Sequence, residues 1–504
     1  MKKNNKSSIY IKAAGLALLP FLLLETGCSK KFLDVPSQGQ QASQQFWLTQ
    51  DDATKGVNAI YANLRGWPNI SFAPIAVESM GSDDAEKGGG YAGDANFMSN
   101  FDTFTQTSTE GQLSDFWAGQ YANINYCNQV LDHVDTMNFD AGLKARYQAE
   151  AKFVRAYSYF RLVRAFGGVP LRLHIPAGAK DFNLPRTSKD SVYAQIEKDL
   201  TDAAAVLPQS YGTTDIGRAT KGAALGLHAK VALYQKKWPD VVTYTNQVIG
   251  LGYSLFPNYE QLFRIANENS TESVFEIQCT YLPGNNDASN SQYSQVQGDV
   301  LVPNVGWGFN RPTQDLVNEF EAGDPRKDAT ILFPGETTPE GDHIPTGDTA
   351  DAFHYMSLYN QKSYVPFAIA VVDNQGSDQN VRVLRFADIL LMNAEANNET
   401  GNAAAALVSL EKVRARARAN SATPLTTLPP VTTTDQGALR TAIYHERRVE
   451  LAMEFDRFFD VIRQGRGPQV FGPKGFKANK NEVMPIPQNE IDLSGGLLTQ
   501  NPGY

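Results

Sequence analysis

A chain of 504 residues, 42% hydrophobic and 20% charged, carries enough apolar material for a large packed core, which excludes a disordered polypeptide and a fibrous repeat. Its length exceeds a typical domain of roughly 100 to 150 residues, so two or more lobes are expected. A formal net charge of −9, with no lysine- or arginine-rich block, argues against a phosphate backbone as partner, and no nucleic acid is expected.

At the N-terminus Lys2, Lys3, Lys6 and Lys12 precede an apolar stretch over 13–24, the order of a secretory signal. The stretch is shorter than the about 20 apolar residues that span a bilayer, and no other run approaches that length. Cys28 follows Thr26 and Gly27 where a lipoprotein signal places its acceptor cysteine, although Glu25 displaces the usual aliphatic residue, Leu24, by one position. Residues 1–27 therefore read as a lipoprotein signal peptide, Cys28 as the lipidation site and 28–45 as a lipid-anchored tether. Several acyl chains, at about 0.8 kcal/mol per buried methylene, hold such a chain durably on a membrane. Cys127 and Cys279, one in a helical pattern and one in a strand-like run, could form a bridge in an exported chain, but buried free thiols are the simpler reading.

Helical patterns dominate the body. Over 143–166, Phe153, Val154, Tyr157, Phe160 and Val163 recur at three-and-four spacing, and Gly167-Gly168 with Pro170 beyond predicts a defined stop. A second helix is predicted over 191–207, before Pro208. Residues 220–237 (TKGAALGLHAKVALYQKK) and 238–250 (WPDVVTYTNQVIG) read as two antiparallel helices, the first with Ala and Gly on one face where a neighbour can approach closely. Residues 385–399 and 402–418, split by Thr400-Gly401-Asn402, repeat that plan. The pairs resemble tetratricopeptide units of about 34 residues, and equally any helical hairpin. Three stretches between them, 66–112, 281–308 and 334–379, are aperiodic and rich in Gly, Asn, Asp, Ser and aromatics. Loops of such length in a compact domain usually carry function, and their aromatic content argues against disorder.

Two motifs fail on inspection. His445-Glu446-Arg447-Arg448 begins like a zinc-protease helix but has Val449 where the second histidine is required. Gly88-Gly89-Gly90-Tyr91-Ala92-Gly93 has dinucleotide spacing, yet it follows Asp83, Asp84 and Glu86 with no apolar strand, so it reads as a flexible loop. The interleaved charges Glu446, Arg447, Arg448, Glu450 and Glu454 read as a structural ion-pair network rather than a catalytic set.

Taken in order, six motifs resemble the SusD/RagB-like outer-membrane nutrient-binding lipoproteins. They are Lys31-Phe32-Leu33-Asp34; Ala156-Tyr157-Ser158-Tyr159-Phe160-Arg161 running into Phe166-Gly167-Gly168-Val169-Pro170; Gly306-Trp307-Gly308-Phe309-Asn310-Arg311-Pro312 with Asp324-Pro325-Arg326; Arg385-Phe386-Ala387-Asp388-Ile389-Leu390; Glu446-Arg447-Arg448 with Arg457-Phe458-Phe459-Asp460; and Pro485-Ile486-Pro487 with Gln500-Asn501-Pro502. The resemblance implies a mainly α fold: a tetratricopeptide-like helical scaffold with long, irregular ligand-binding loops and minor β. It divides the body into an N-terminal SusD-like helical region, 46–270, and a C-terminal RagB/SusD region, 271–504. It also implies a lid on a TonB-dependent, SusC-like outer-membrane transporter that captures an oligosaccharide without cutting it. The lipid anchor is then expected in the outer membrane, facing the cell surface, although Ser29-Lys30-Lys31 stands where family members often carry acidic residues linked to surface display.

A sugar ring presents an apolar C–H face and a rim of hydroxyls, so its binder needs flat aromatics beside polar donors and acceptors. The expected ligand-binding residues are Trp67, Asp83, Tyr91 and Asn96 in the first loop, Tyr281, Asn285, Tyr293 and Trp307 in or beside the second, and Tyr359 in the third. Each aromatic also has a packing role as its alternative, Trp307 above all, within its Gly-Trp-Gly-Phe-Asn pattern. No catalytic residue, cofactor or metal ligand is singled out; acidic loop residues could hold calcium, but no calcium loop of fixed spacing is present. The rival readings are a peptide binder of the same uptake system and a glycoside hydrolase drawing two carboxylates from Asp83, Asp84 and Glu86.

Overall fold

The computed structural model describes residues 46–178, 181–284, 291–303, 305–370 and 377–504. Cys28, the signal peptide and tether, and Asn285 lie outside them.

Several helices begin where the sequence supplies a side-chain cap. Thr49 Oγ1 accepts from the Asp52 amide at 3.2 Å while Asp52 Oδ2 accepts from the Thr49 amide at 2.8 Å, a capping box that opens α1 (Gln50–Leu64). After α2 (Gly111–His133) comes α3 (Ala141–Phe166), capped by Asp140 and stopped at Gly167. Ser188 caps α4 (Lys189–Val206) and Thr220 caps α5 (Lys221–Tyr234), while Pro239 opens the first turn of α6 (Trp238–Ile249). Further along lie α7 (Phe386–Glu399), α8 (Ala403–Ala419), α9 (Gln436–Leu451) and α10 (Arg457–Arg463). Each helix from α2 to α6 packs on the one before it; α6 then receives α7, which packs against α8 and α9. The two expected hairpins are α5/α6 and α7/α8, and the fold is mainly α.

Among the described residues six short strands, β1 (Ala85–Gly88), β2 (Ser273–Ile277), β3 (Phe309–Pro312), β4 (Ile331–Leu332), β5 (Tyr359–Asn360) and β6 (Val381–Arg385), form three antiparallel pairs: β1 with β3, β2 with β6, and β4 with β5. Residues 66–112 are more ordered than their lack of period suggested. They contain β1, the short helices Trp67–Ile70 and Phe97–Asp102, and a π-helical turn over Ile75–Ser79.

The charged α9 face is buried as an ion-pair network, as its interleaved signs suggested. Arg326, wholly buried, reaches Asp324 at 2.8 Å, Glu446 at 2.6 Å and Glu450 at 3.2 Å. Glu450 also meets Arg385 at 3.1 Å and Arg416 at 2.6 Å. Arg447 joins Asp388 and Asp460 at 2.5 and 2.6 Å. A buried charge without its partner costs several kcal/mol, so the network specifies one arrangement of α7, α8 and α9. The C-terminal motif has a similar office: Asn501 Nδ2 donates to the carbonyls of Phe166 at 3.0 Å and Met484 at 2.7 Å, tying the tail to the end of α3.

Candidate ligand-binding cleft

Trp67 stands at the first turn of a short helix whose Asn69 is held from three sides. Asn69 Nδ2 donates to the Asn63 carbonyl at 2.7 Å, and its Oδ1 accepts from Gln120 at 2.9 Å and Asn123 at 3.0 Å, both on α2. The turn can sit this close because α2 offers Gly119, where a Cβ would fall 2.7 Å from that of Pro68. Trp307 is placed by backbone hydrogen bonds on both sides of it. Its amide donates to the Gln295 carbonyl at 2.7 Å, that of Gly308 donates to Gly298 at 2.9 Å, and any Cβ on Gly306 would lie within 2.1 Å of the Gly298 carbonyl.

These two supports bring Trp67 and Trp307 together, ring centroids 6.0 Å apart at 49°. Phe72 lies behind both, stacked on Trp307 at 5.8 Å and 21°, and meets Phe309 and Phe97 edge-on at 4.8 and 6.4 Å. The rings wall an open cleft of about 570 Å³, completed by Gly90, Asp94, Ala95, Gln112, Val300 and Gly306. Its polar wall is the glycine-rich turn after β1. Asp94 Oδ2 accepts from the Gly90 amide at 2.9 Å, and the Lys87 ammonium donates to the carbonyls of Ala92, at 3.1 Å, and Asp94. The turn read as a flexible loop is thus held by five hydrogen-bonding groups. Tyr91 projects from it, 64% exposed, and Asn96 is exposed beside Ala95 and Phe97.

The remaining candidates do not line this cleft. Tyr293 and Tyr359 are 7% and 1% exposed; Tyr293 packs edge-on against Phe455, and Tyr359 lies in β5 among Leu332, Ile344 and Tyr364. Tyr281 is half-buried, its amide donating to Asp378 Oδ1 at 2.7 Å. Asp83 accepts both guanidinium arms of Arg457 at 2.8 and 2.7 Å and pairs with Arg448 at 3.0 Å. Burial pushes its carboxyl up, but the bond and charge of Arg457, with Arg448, hold it below the usual range. Asp84 bonds Arg448 Nε at 2.9 Å, and Glu86 pairs with Arg311 at 3.0 Å. The three carboxylates considered for hydrolysis are therefore engaged with arginines, and among the described residues Asp94 is the one carboxylate of the cleft.

Three cleft residues escape a reading by type. Phe72 carries no period of its own, Gln112 belongs to the first turn of α2, and Asp94 looks like any acidic residue of a polar loop. For Asp94 a signal existed: an Asx residue closing a triple-glycine turn commonly accepts from its backbone.

A family model described as the SusD family matches residues 271–504, and one described as starch-binding, associating with outer membrane, matches residues 31–233. The chain is 28% identical to SusD-like protein P2 of Formosa agariphila over 98% of its own length and all of that protein. It is also 28% identical to a SusD-like protein of Bacteroides ovatus, covering 90% of this chain and 83% of the other. The solved structure of a laminarin binding SusD-like protein superposes with a TM-score of 0.77 at 32% identity, covering 91% of this chain and 100% of that one. A SusD-like protein from Bacteroides fragilis superposes at 0.75 with 27% identity, over 92% and 99%. Matched along both halves and in the fold that joins them, this chain belongs to the SusD/RagB-like family.

Proposed function

We propose that the protein is a non-catalytic, glycan-binding lipoprotein of the outer membrane, anchored through Cys28, that passes oligosaccharide to a TonB-dependent SusC-like transporter. The observation that carries this reading is the open aromatic cleft. Trp67 and Trp307 present flat apolar faces for the C–H surface of sugar rings, and Asp94 and Gln112 in the same wall, with Asn96 exposed next to Ala95, meet hydroxyls. Tyr91, exposed on the glycine turn, extends the platform outward. The tilt of 49° between the indoles suits a chain that bends between successive rings better than a straight one.

Among the described residues one carboxylate lines the cleft, which supports binding without cleavage, because glycoside hydrolysis uses two, at about 5 Å or about 6.5 to 9.5 Å separation. The family description as associating with outer membrane and the laminarin binding relative support the location and the ligand class. Native affinity electrophoresis through gels containing laminarin, starch and other polysaccharides, with a reducing-sugar assay alongside, tests the proposal. The expected result is retardation by at least one glycan with no new reducing ends. New reducing ends would replace binder with hydrolase, and mobility unaffected by every glycan would turn the reading toward peptides.

A further inference from the structure

Resting on that reading of the cleft, we infer that His354 is a positioning residue for glycan binding, a protonated brace that holds the glycine turn of the cleft wall in place. The segment bearing it packs against the turn from outside the cleft. Nδ1 of His354 lies 2.5 Å from Asp351 Oδ2, and Nε2 lies 3.2 Å from the carbonyl oxygen of Gly89. Both partners are acceptors with no proton to give, so both ring nitrogens must donate, which the imidazolium alone does. A neutral ring that keeps its bond to Asp351 turns a lone pair toward the Gly89 carbonyl.

Gly89 is the joint between the two walls. Its amide donates to the Gly308 carbonyl at 2.8 Å, next to Trp307 and Phe309, and its own carbonyl leads directly into Gly90, which Asp94 holds. Loss of the bond from His354 thus frees the point at which the polar wall meets the aromatic one. The brace is itself anchored: Arg311 Nη1 donates to the Phe353 carbonyl at 3.1 Å, and its guanidinium lies 4.9 Å from the Phe353 ring centroid.

The charged groups around the ring come from four places. Asp348 and Asp351 belong to its own segment, Lys87 and Asp94 to β1 and its turn, Arg311 with its partner Glu86 to the β1–β3 pair, and Asp299 to the segment before Val300. Asp299 matters to the test, because burial pushes its carboxyl up to about 6. It titrates in the same range as a histidine.

The experiment compares the whole protein with His354→Gln and Asp351→Asn at about pH 5.5 and about pH 8, on either side of the range in which histidines ordinarily titrate. Hydrogen exchange of the segment 86–94, corrected for intrinsic rate, needs no ligand; affinity for laminarin and soluble starch is measured in parallel, with Trp307→Ala as the control for the cleft. In the wild type, protection of the turn and affinity should both fall as pH rises, affinity by roughly fivefold for one charge-assisted hydrogen bond. In His354→Gln both should be low and flat, and Asp351→Asn, which removes the carboxylate that orients the ring, should lower both. Protection unchanged with pH in the wild type overturns the inference, and so does a pH response that survives in His354→Gln, which would belong to Asp299. Glycan binding unaffected by Trp307→Ala would overturn the cleft reading instead, leaving exchange to decide the brace.

Discussion

Two kinds of aromatic residue occupy these loops, and a substitution separates them. Trp67 and Trp307 are half-buried in the cleft wall, whereas Tyr293 and Tyr359 are core residues. Replacing either tryptophan by alanine should weaken glycan binding by roughly fivefold or more, about 1 kcal/mol, while the melting temperature of the body changes little. Tyr293→Ala and Tyr359→Ala should do the reverse, costing about 3 to 5 kcal/mol of stability for the lost ring and its cavity. Calorimetric titration and thermal unfolding of the four variants check both halves. The thiols give a second expectation at this scale. Cys127 and Cys279 are free; burial pushes the Cys279 thiol up to about 12 and raises that of Cys127 further, so neither should react with a thiol reagent at about pH 8 until the protein is unfolded. Sequence could name the aromatic loops but not sort their rings, because exposure depends on which strand or neighbour each loop meets. Tyr359 and Tyr91 both sit in polar loop sequence, and pairing of β5 with β4 places the first in the interior.

At the scale of elements, α9 fastens the C-terminal helices to one another through charge. Burial alone pushes the Glu450 carboxyl up, but Arg416, Arg385 and Arg326 hold it at about 2. A carboxyl depressed on folding stabilises the protein above its unfolded value, about 4.3, and that contribution disappears as pH falls through the folded one. Urea unfolding midpoints should therefore drop between about pH 4 and pH 2. Arg326→Met should cost about 3 to 5 kcal/mol at neutral pH, since it leaves buried Asp324 without its cation and takes one from Glu446 and one from Glu450, and should flatten part of that acid response. The helices themselves were legible: periodicity and stop signals located α3 to within two residues, and the two hairpins at α5/α6 and α7/α8. The charge pattern on α9 also announced a network, although its distant partners Asp324, Arg385 and Arg416 could be assigned only once the chain was folded.

Across the whole molecule, the helical stack serves as a frame against which two distant loops close a single cleft. Trp67 is fixed on α2 by Asn69, and Trp307 is fixed by the backbone around Gly298, so 240 positions of chain separate rings that lie 6.0 Å apart. That juxtaposition is the part the sequence withheld. Composition offered many aromatic and carboxylate residues, but the pairing of β1 with β3 selects Asp94 for the cleft and turns Asp83 toward Arg457. The most direct measurement is calorimetric titration of laminarin and starch into the protein and into the Trp67→Ala/Trp307→Ala double variant, with folding of each verified by thermal unfolding. Binding of one glycan by the wild type, lost in a double variant that remains folded, is the predicted result. Equal binding by both proteins would contradict it and move the site away from the cleft.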